Sequence, residues 1–407
     1  MLMRSRPFWL VLASLLSTPL AAAQRVDLDY HVRFLPDSGQ AEVRLTLARG
    51  QAVRYFDFSL GADGGYSDFQ ADGEWSQDNP QRGVWRPPAG KATLSYRVRI
   101  DQQRDNGRFD ARMTADWALL RGDNLVPAAR VDIAPDVELV SRLQFELPPG
   151  WKGVETGWPR IGKARFRIDN PARRFDRPTG WILAGQLGVR RATLGKTEVA
   201  VAAPVGEGLR RMDILTLLTF VWPHAQAVFP REPGKLLIVG AGDPMWRGGL
   251  SGPNSLYMHA DRPLVSENGT SSLIHELVHV FSRIGDTERS DWITEGIAEY
   301  YAIELMRRAG GLSEDRYAKI RTQLERWSRK VTSLRGERAS GAVTARAVLL
   351  LQALDAEIRT ASRGERSLDD VTRGLMRLEK ASTRDFVQIA ENVLGRPSKV
   401  LDTRLLR

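Results

Sequence analysis

The stretch Ser271-Ser272-Leu273-Ile274-His275-Glu276-Leu277-Val278-His279-Val280-Phe281 decides how the rest of the chain is read. Its apolar residues recur as they do on the buried side of a helix. On such a helix His275 and His279 project from one face about one turn apart, and both imidazoles can reach a single zinc ion at about 2.0–2.1 Å. Glu276, beside the first histidine, then stands next to the metal without being a ligand, which suits a general base for an attacking water. The same pentapeptide also fits two half-buried histidines on an ordinary amphipathic helix. A third ligand decides between the readings.

Downstream, Asp291-Trp292-Ile293-Thr294-Glu295-Gly296-Ile297-Ala298-Glu299-Tyr300-Tyr301 opens a second helix, with Glu295 in its first or second turn. A turn between the helices can bring that face against the first. Two histidines and one glutamate with an open fourth position make a catalytic zinc arrangement, not a structural one. Glu299, one turn after Glu295, is placed either to hydrogen-bond the far nitrogen of a ligating histidine and fix its tautomer, or to face solvent as an ordinary helix carboxylate.

Upstream, the chain alternates as half-buried strands do. Val26, Leu28, Tyr30, Val32 and Phe34 share one face, Pro36-Asp37-Ser38-Gly39 turns the chain, and Ala41, Val43, Leu45 and Leu47 return. Similar runs end at Pro148-Pro149-Gly150, and the texture changes after Pro204. Leu209 to Val228 reads as a helix that Pro223 kinks or interrupts, and Lys235–Val239 as a short buried strand. The zinc helix is expected to close at Gly285, and the next to start with Asp291 as N-cap and end at Gly310-Gly311. From Leu312 onward the pattern is helical, broken around 336–341 and at Gly364. The expected fold class is α+β multidomain: a β-sandwich-like domain over 24–195, a catalytic domain over 196–311 and an α-helical domain over 312–407.

Bulk properties frame this reading. The chain has 407 residues, 42% hydrophobic and 27% charged, which is ordinary globular composition. It has no cysteine, so disulfides, thiolate metal sites and thiol nucleophiles are excluded. Net charge is +10, but the basic residues are scattered with no block of interleaved aromatics, which argues against a nucleic-acid partner. Arg4 and Arg6, the apolar run Phe8 to Leu16 and the small residues Ala21-Ala22-Ala23 read as a signal peptide over 1–23. Export to the bacterial periplasm or the medium is the expectation, with no transmembrane span left after cleavage.

The pair His-Glu-x-x-His and Trp-x-x-Glu-Gly-x-x-x-Tyr resembles the gluzincin metallopeptidases, most closely the glycyl aminopeptidase family. The resemblance covers most of 25–407 and is strongest from Gly248 to Tyr301. It implies a β domain, a thermolysin-like catalytic domain and a helical domain in that order. It also implies one Zn2+ held by His275, His279 and Glu295, Glu276 as base, and a peptide or protein substrate.

The chain departs from that pattern in two places. The family's Gly-Gly-Leu-Glu strand reads Gly248-Gly249-Leu250-Ser251 here. Gly248, Gly249, Ser251 and Tyr257 are the substrate-binding candidates, with Glu267 a candidate substitute for the lost carboxylate. Where relatives place an oxyanion-binding tyrosine, the chain reads Thr344-Ala345-Arg346-Ala347. Tyr257, His259 and Arg346 are candidate replacements, and the family's closing peptide-binding domain is not expected. The leading expectation is an exported zinc metallopeptidase. Its alternatives are a zinc-binding inactive relative serving as an envelope binding or assembly module, and a hydrolase of a non-peptide bond.

Overall fold

The computed structural model describes residues 23–62, 64–168, 175–267 and 269–407. Residues 1–22 of the expected signal peptide lie outside them. Among the described residues no helix is long and apolar enough to cross a membrane.

The alternation upstream does give strands. Gln24–Leu35 and Gln40–Leu47 form the expected hairpin, with Gly39 at φ 66° closing its turn. Val26, Leu28, Tyr30, Val32 and Phe34 are all buried on one face. This part is entirely β apart from single helical turns, one of them α1 (Gly122–Leu125), but its strands are divided among three sheets of seven, five and four strands. One apolar core, from Val26 to Ala184, joins them.

A second sheet system carries the site. Its five strands run in the order Leu187–Leu194, Thr197–Pro204, Lys235–Val239, Ser255–Met258 and Gly249–Gly252. The middle three are mutually parallel, and both edges are antiparallel. Leu187–Leu194 pairs along its whole length with Thr197–Pro204. The architecture therefore changes near Gly185, earlier than the expected boundary at 195: Gly195-Lys196 is a hairpin turn inside this sheet, with Gly195 at φ 57°.

The two sheet systems meet across a shared apolar layer. Trp117, Leu119, Trp181 and Leu183 of the five-stranded N-terminal sheet pack on Ala200, Ala202, Leu237 and Val239. Fully buried side chains of the larger kinds contribute about 1.5–3 kcal/mol each, so this is a firm contact.

Helix α2 (Arg211–Val228) runs through Pro223, so of the expected kink or interruption the interruption does not occur. Pro223 and Thr219 both lie on its exposed side, where solvent can take the carbonyl that a proline leaves without a donor. Helix α3 (Ser272–Ser282) is capped by Ser271, whose hydroxyl accepts from the Ile274 amide at 3.4 Å. It ends at Arg283 in the left-handed region, φ 48°, rather than at Gly285. Helix α4 (Asp291–Arg308) takes Ser290 as its N-cap position, one residue earlier than expected.

The remaining helices are α5 (Glu314–Ser328), α6 (Ala342–Ala361), α7 (Leu368–Leu375) and α8 (Thr383–Leu394); the breaks around 336–341 and at Gly364 fall as expected, and a third, over 376–382, is not in the pattern. They do not form a core of their own. Trp292, Ile297 and Tyr301 share one buried cluster with Ala347, Leu351, Leu354 and Phe386, so 196–311 and 312–407 are continuous inside. One close approach is at Gly296, where an added Cβ would fall 2.8 Å from the Ala347 methyl.

Candidate active site

Helix α3 buries Leu273, Ile274, Leu277, Val278, Val280 and Phe281, which leaves His275, Glu276 and His279 on the half-buried side. Helix α4 does the same with Trp292, Ile293, Ile297 and Ala298 buried and Glu295 and Glu299 half-buried. Packing the two helices together sets these polar faces against one another. Charged residues facing inward need partners, and His275, His279, Glu295 and Glu299 find them in one another.

The donor groups of three residues form a small triangle. His275 Nε2 lies 3.2 Å from His279 Nε2, 3.3 Å from Glu295 Oε2, and His279 Nε2 lies 3.4 Å from Glu295 Oε1. Bond lengths of about 2.0–2.1 Å to a tetrahedral zinc require ligand atoms about 3.3–3.4 Å apart. The residues present therefore fit the metal, and among the described residues they are the one group that does. The Nδ1–H of His275 donates to Glu299 Oε2 at 2.9 Å, which orients the ring with Nε2 facing the triangle, where it can ligate once its proton has gone. Burial alone would push the His275 imidazolium down, but hydrogen bonding to Glu295 and Glu299 outweighs it and holds the pKa up at about 10. Burial would raise the Glu295 carboxyl, yet the hydrogen bonds from His275 and His279 hold it down at about 2.

Glu276 rests against the edge strand. A Cβ on Gly249 would come within 3.0 Å of Glu276 Cγ and 3.2 Å of its Oε1, so only glycine leaves this carboxylate its place. His275, Glu276, Glu295, Glu299, Gly248 and Gly249 all line one cleft of about 600 Å³. Ser251 lines an adjoining recess of about 400 Å³ with His279, Glu276, Glu295, Asp286 and Asp291.

The other candidates fall elsewhere. Tyr257 is buried, because Ser255–Met258 is covered on both faces. Its ring packs on Trp181 at 5.0 Å and its hydroxyl donates to the Trp246 carbonyl at 2.8 Å, so it belongs to the core between the sheet systems and does not reach the cleft. His259 is fully buried with Nε2 3.4 Å from Asp243. Glu267 is exposed and Arg346 half-buried, and neither lines the cleft. Thr344 and Ala345 do line it, so the position of the expected tyrosine is on the wall, without a phenol. Among the described residues no tyrosine lines either hollow.

Sequence reasoning missed Trp246, Arg262, Leu324 and Trp327, which complete the cleft wall. Trp327 continues the apolar stripe of Ile320 and Leu324 on α5, yet it stays 60% exposed.

Replacing Glu299 by Ala would free the His275 ring. We expect a loss of about 10–100-fold in zinc affinity with the fold intact, read by competition with a metallochromic chelator; unchanged affinity would return Glu299 to the status of a surface carboxylate.

No family model matches this chain, and none of the curated proteins does. Solved structures do. An aminopeptidase N family protein from Idiomarina loihiensis superposes with a TM-score of 0.67 at 16% identity, over 92% of this chain and 72% of that one. A substituted M1 zinc metallopeptidase from Deinococcus radiodurans, solved with a Tyr-Ser-Ala substrate, gives 0.60 at 16% identity over 94% and 92% of the two chains. Native leukotriene A4 hydrolase from Saccharomyces cerevisiae gives 0.55 at 16% identity, over 94% of this chain and 66% of that one. The chain thus shares the fold of M1 zinc metallopeptidases.

Proposed function

We propose that this chain is an exported peptidase of the gluzincin type, similar to glycyl aminopeptidases. It would use one zinc ion and Glu276 as general base to hydrolyse peptide bonds. The observation that carries this reading is the triangle of His275, His279 and Glu295 beside an open cleft, with Glu276 next to it and not part of it. When bound, zinc would polarise the scissile carbonyl and acidify the attacking water. Everything else falls to the protein.

Glu276 takes the proton of the attacking water and can return it to the leaving amine. The strand Gly249–Gly252 pairs on one side only, with Ser255–Met258. Its free edge offers backbone donors and acceptors on which an extended peptide can add as a further strand. Thr344 is the hydroxyl on the wall where the oxyanion develops in relatives of this type. It stands in for a more acidic phenol, so turnover is expected to be slow.

Ser251 carries no charge to hold a free amino terminus, which favours cleavage that does not depend on one. The test is hydrolysis of matched peptides with free and acetylated N-termini by zinc-loaded protein, with and without chelator. Cleavage of both, lost with chelator and restored by zinc, is the expected result. Full zinc occupancy with no cleavage of any peptide would overturn it in favour of a zinc-binding envelope module. Export rests on residues 1–23, and N-terminal sequencing of protein recovered outside the cytoplasm, starting at Gln24, would establish it.

A further inference from the structure

The cleft is unequal at its two ends. Beyond the metal ligands on one side lies the recess with Ser251, Asp286 and Asp291. On the other side the wall carries two arginines, Arg247 and Arg262. These two are not equivalent.

Arg247 is already committed. Its guanidinium makes two hydrogen bonds to the Asp243 carboxylate, one of them Nε to Oδ1 at 3.0 Å. Asp243 also accepts from Arg108 Nη1 at 2.7 Å, and hydrogen bonds from Arg247 and Arg108 hold its carboxyl well below the usual range. Arg262 has no such partner. Its Nη1 donates to the Arg247 carbonyl and its Nη2 to the Ser272 hydroxyl, each at 2.9 Å. Both acceptors are uncharged, and among the described residues no carboxylate pairs with it. The structure thus fixes a half-buried guanidinium in place, on the wall of a cavity, with its charge unmatched. A fixed fork with spare N–H groups is suited to a carboxylate. Nearby wall is apolar, from Leu324, Trp327 and Ala345, and strengthens the field in the cleft.

Position gives the register. Ser272 precedes His275 by less than one turn of α3, roughly 5 Å along the axis, and an extended peptide advances about 3.3–3.6 Å per residue. A carboxylate meeting Arg262 would belong to a substrate residue about one to three positions from the cut bond.

We propose that Arg262 is the specificity-determining residue of this cleft and receives a carboxylate of the substrate, so that acidic peptides are selected over neutral ones. The proposal rests on the peptidase reading for its substrate class. The carboxylate comes either from an acidic side chain or from the chain terminus, and the test separates the two.

Zinc-loaded full-length protein carrying Glu276→Gln is titrated calorimetrically with acetylated pentapeptides. A Gln-containing peptide amide is the reference, its Glu counterpart supplies a side-chain carboxylate, and the Gln peptide with a free C-terminus supplies a terminal one. At least one acidic probe should bind about 10–100-fold tighter than the reference, and the tighter of the two identifies the source. Adding Arg262→Gln should bring that ratio close to one, while Arg262→Lys should retain part of it. Zinc content and circular dichroism report whether each variant is folded, and if Arg262→Gln is not, the parental ratio and the lysine variant decide.

A parental ratio near one, or a ratio that survives Arg262→Gln, overturns the proposal. The two readings fail separately. Wild-type cleavage of all three peptides, the Gln amide, its Glu counterpart and the Gln peptide with a free C-terminus, at equal efficiency keeps the peptidase and removes the subsite. Preferential binding of acidic probes with no cleavage by the wild type removes the peptidase and keeps the subsite.

Discussion

Glu276→Gln should lower kcat by about 10²–10⁴-fold, the contribution of a positioned general base, while zinc content and melting temperature stay where they are. The amide matches the carboxylate in size, so it keeps the place beside Gly249. It cannot take a proton from water. None of the three metal donors comes from this residue, so the metal should remain. A fall in kcat with KM little changed would locate the loss in the chemical step. Undiminished turnover by a zinc-loaded variant would remove Glu276 from the mechanism and leave the attacking water without a base.

Zinc removal should have the second large effect, and it should depend on pH in a definite direction. In the metal-free site His275 keeps its proton up to about pH 10 and Glu295 stays ionised down to about pH 2. Zinc has to displace the His275 proton, since only the neutral ring is a ligand. Apparent zinc affinity should therefore rise about tenfold per pH unit from near neutrality and level off as pH approaches about 10.

The same pair sets a stability window for the metal-free protein. The raised His275 pKa contributes fully below the unfolded value of about 6.5, and that contribution is lost as pH climbs through about 10. The depressed Glu295 pKa contributes above the unfolded value of about 4.3, and that contribution is lost as pH falls through about 2. Chelation at pH 7.5 should lower the melting temperature, and by more when the zinc that was removed stood far above its Kd. Glu295→Ala should abolish the chelator effect altogether. A chelator shift that persists in that variant would place the metal somewhere else.

Much of this site could be read from the chain. His275 and His279 are close in sequence and their helix is strongly patterned, so helical geometry alone puts their rings on one face. Glu295 was legible because its own helix carries tryptophan, glycine and tyrosine at positions that bury it. Tyr257 misled because a strand covered on both faces shows no alternation, and nothing local says which side its ring takes. The boundary at 195 misled for a related reason: Gly195-Lys196 punctuates the chain equally well as a domain end or as a hairpin. Arg262 was out of reach, since its place on the wall depends on how separate loops and helices pack, and no periodicity encodes that.

The contact between Gly296 and Ala347 ties together two properties that selection might otherwise tune separately. Gly296 is the neighbour of Glu295, and Ala347 lies within a turn of Thr344 and Ala345, which line the cleft. An extra methyl at either residue pushes α4 and α6 apart, and with them the ligand from its ion and the wall from its guest. Gly296→Ala is therefore expected to weaken zinc retention and substrate binding together, whereas the loops that carry Arg262 and Ser340 can vary the wall without moving Glu295.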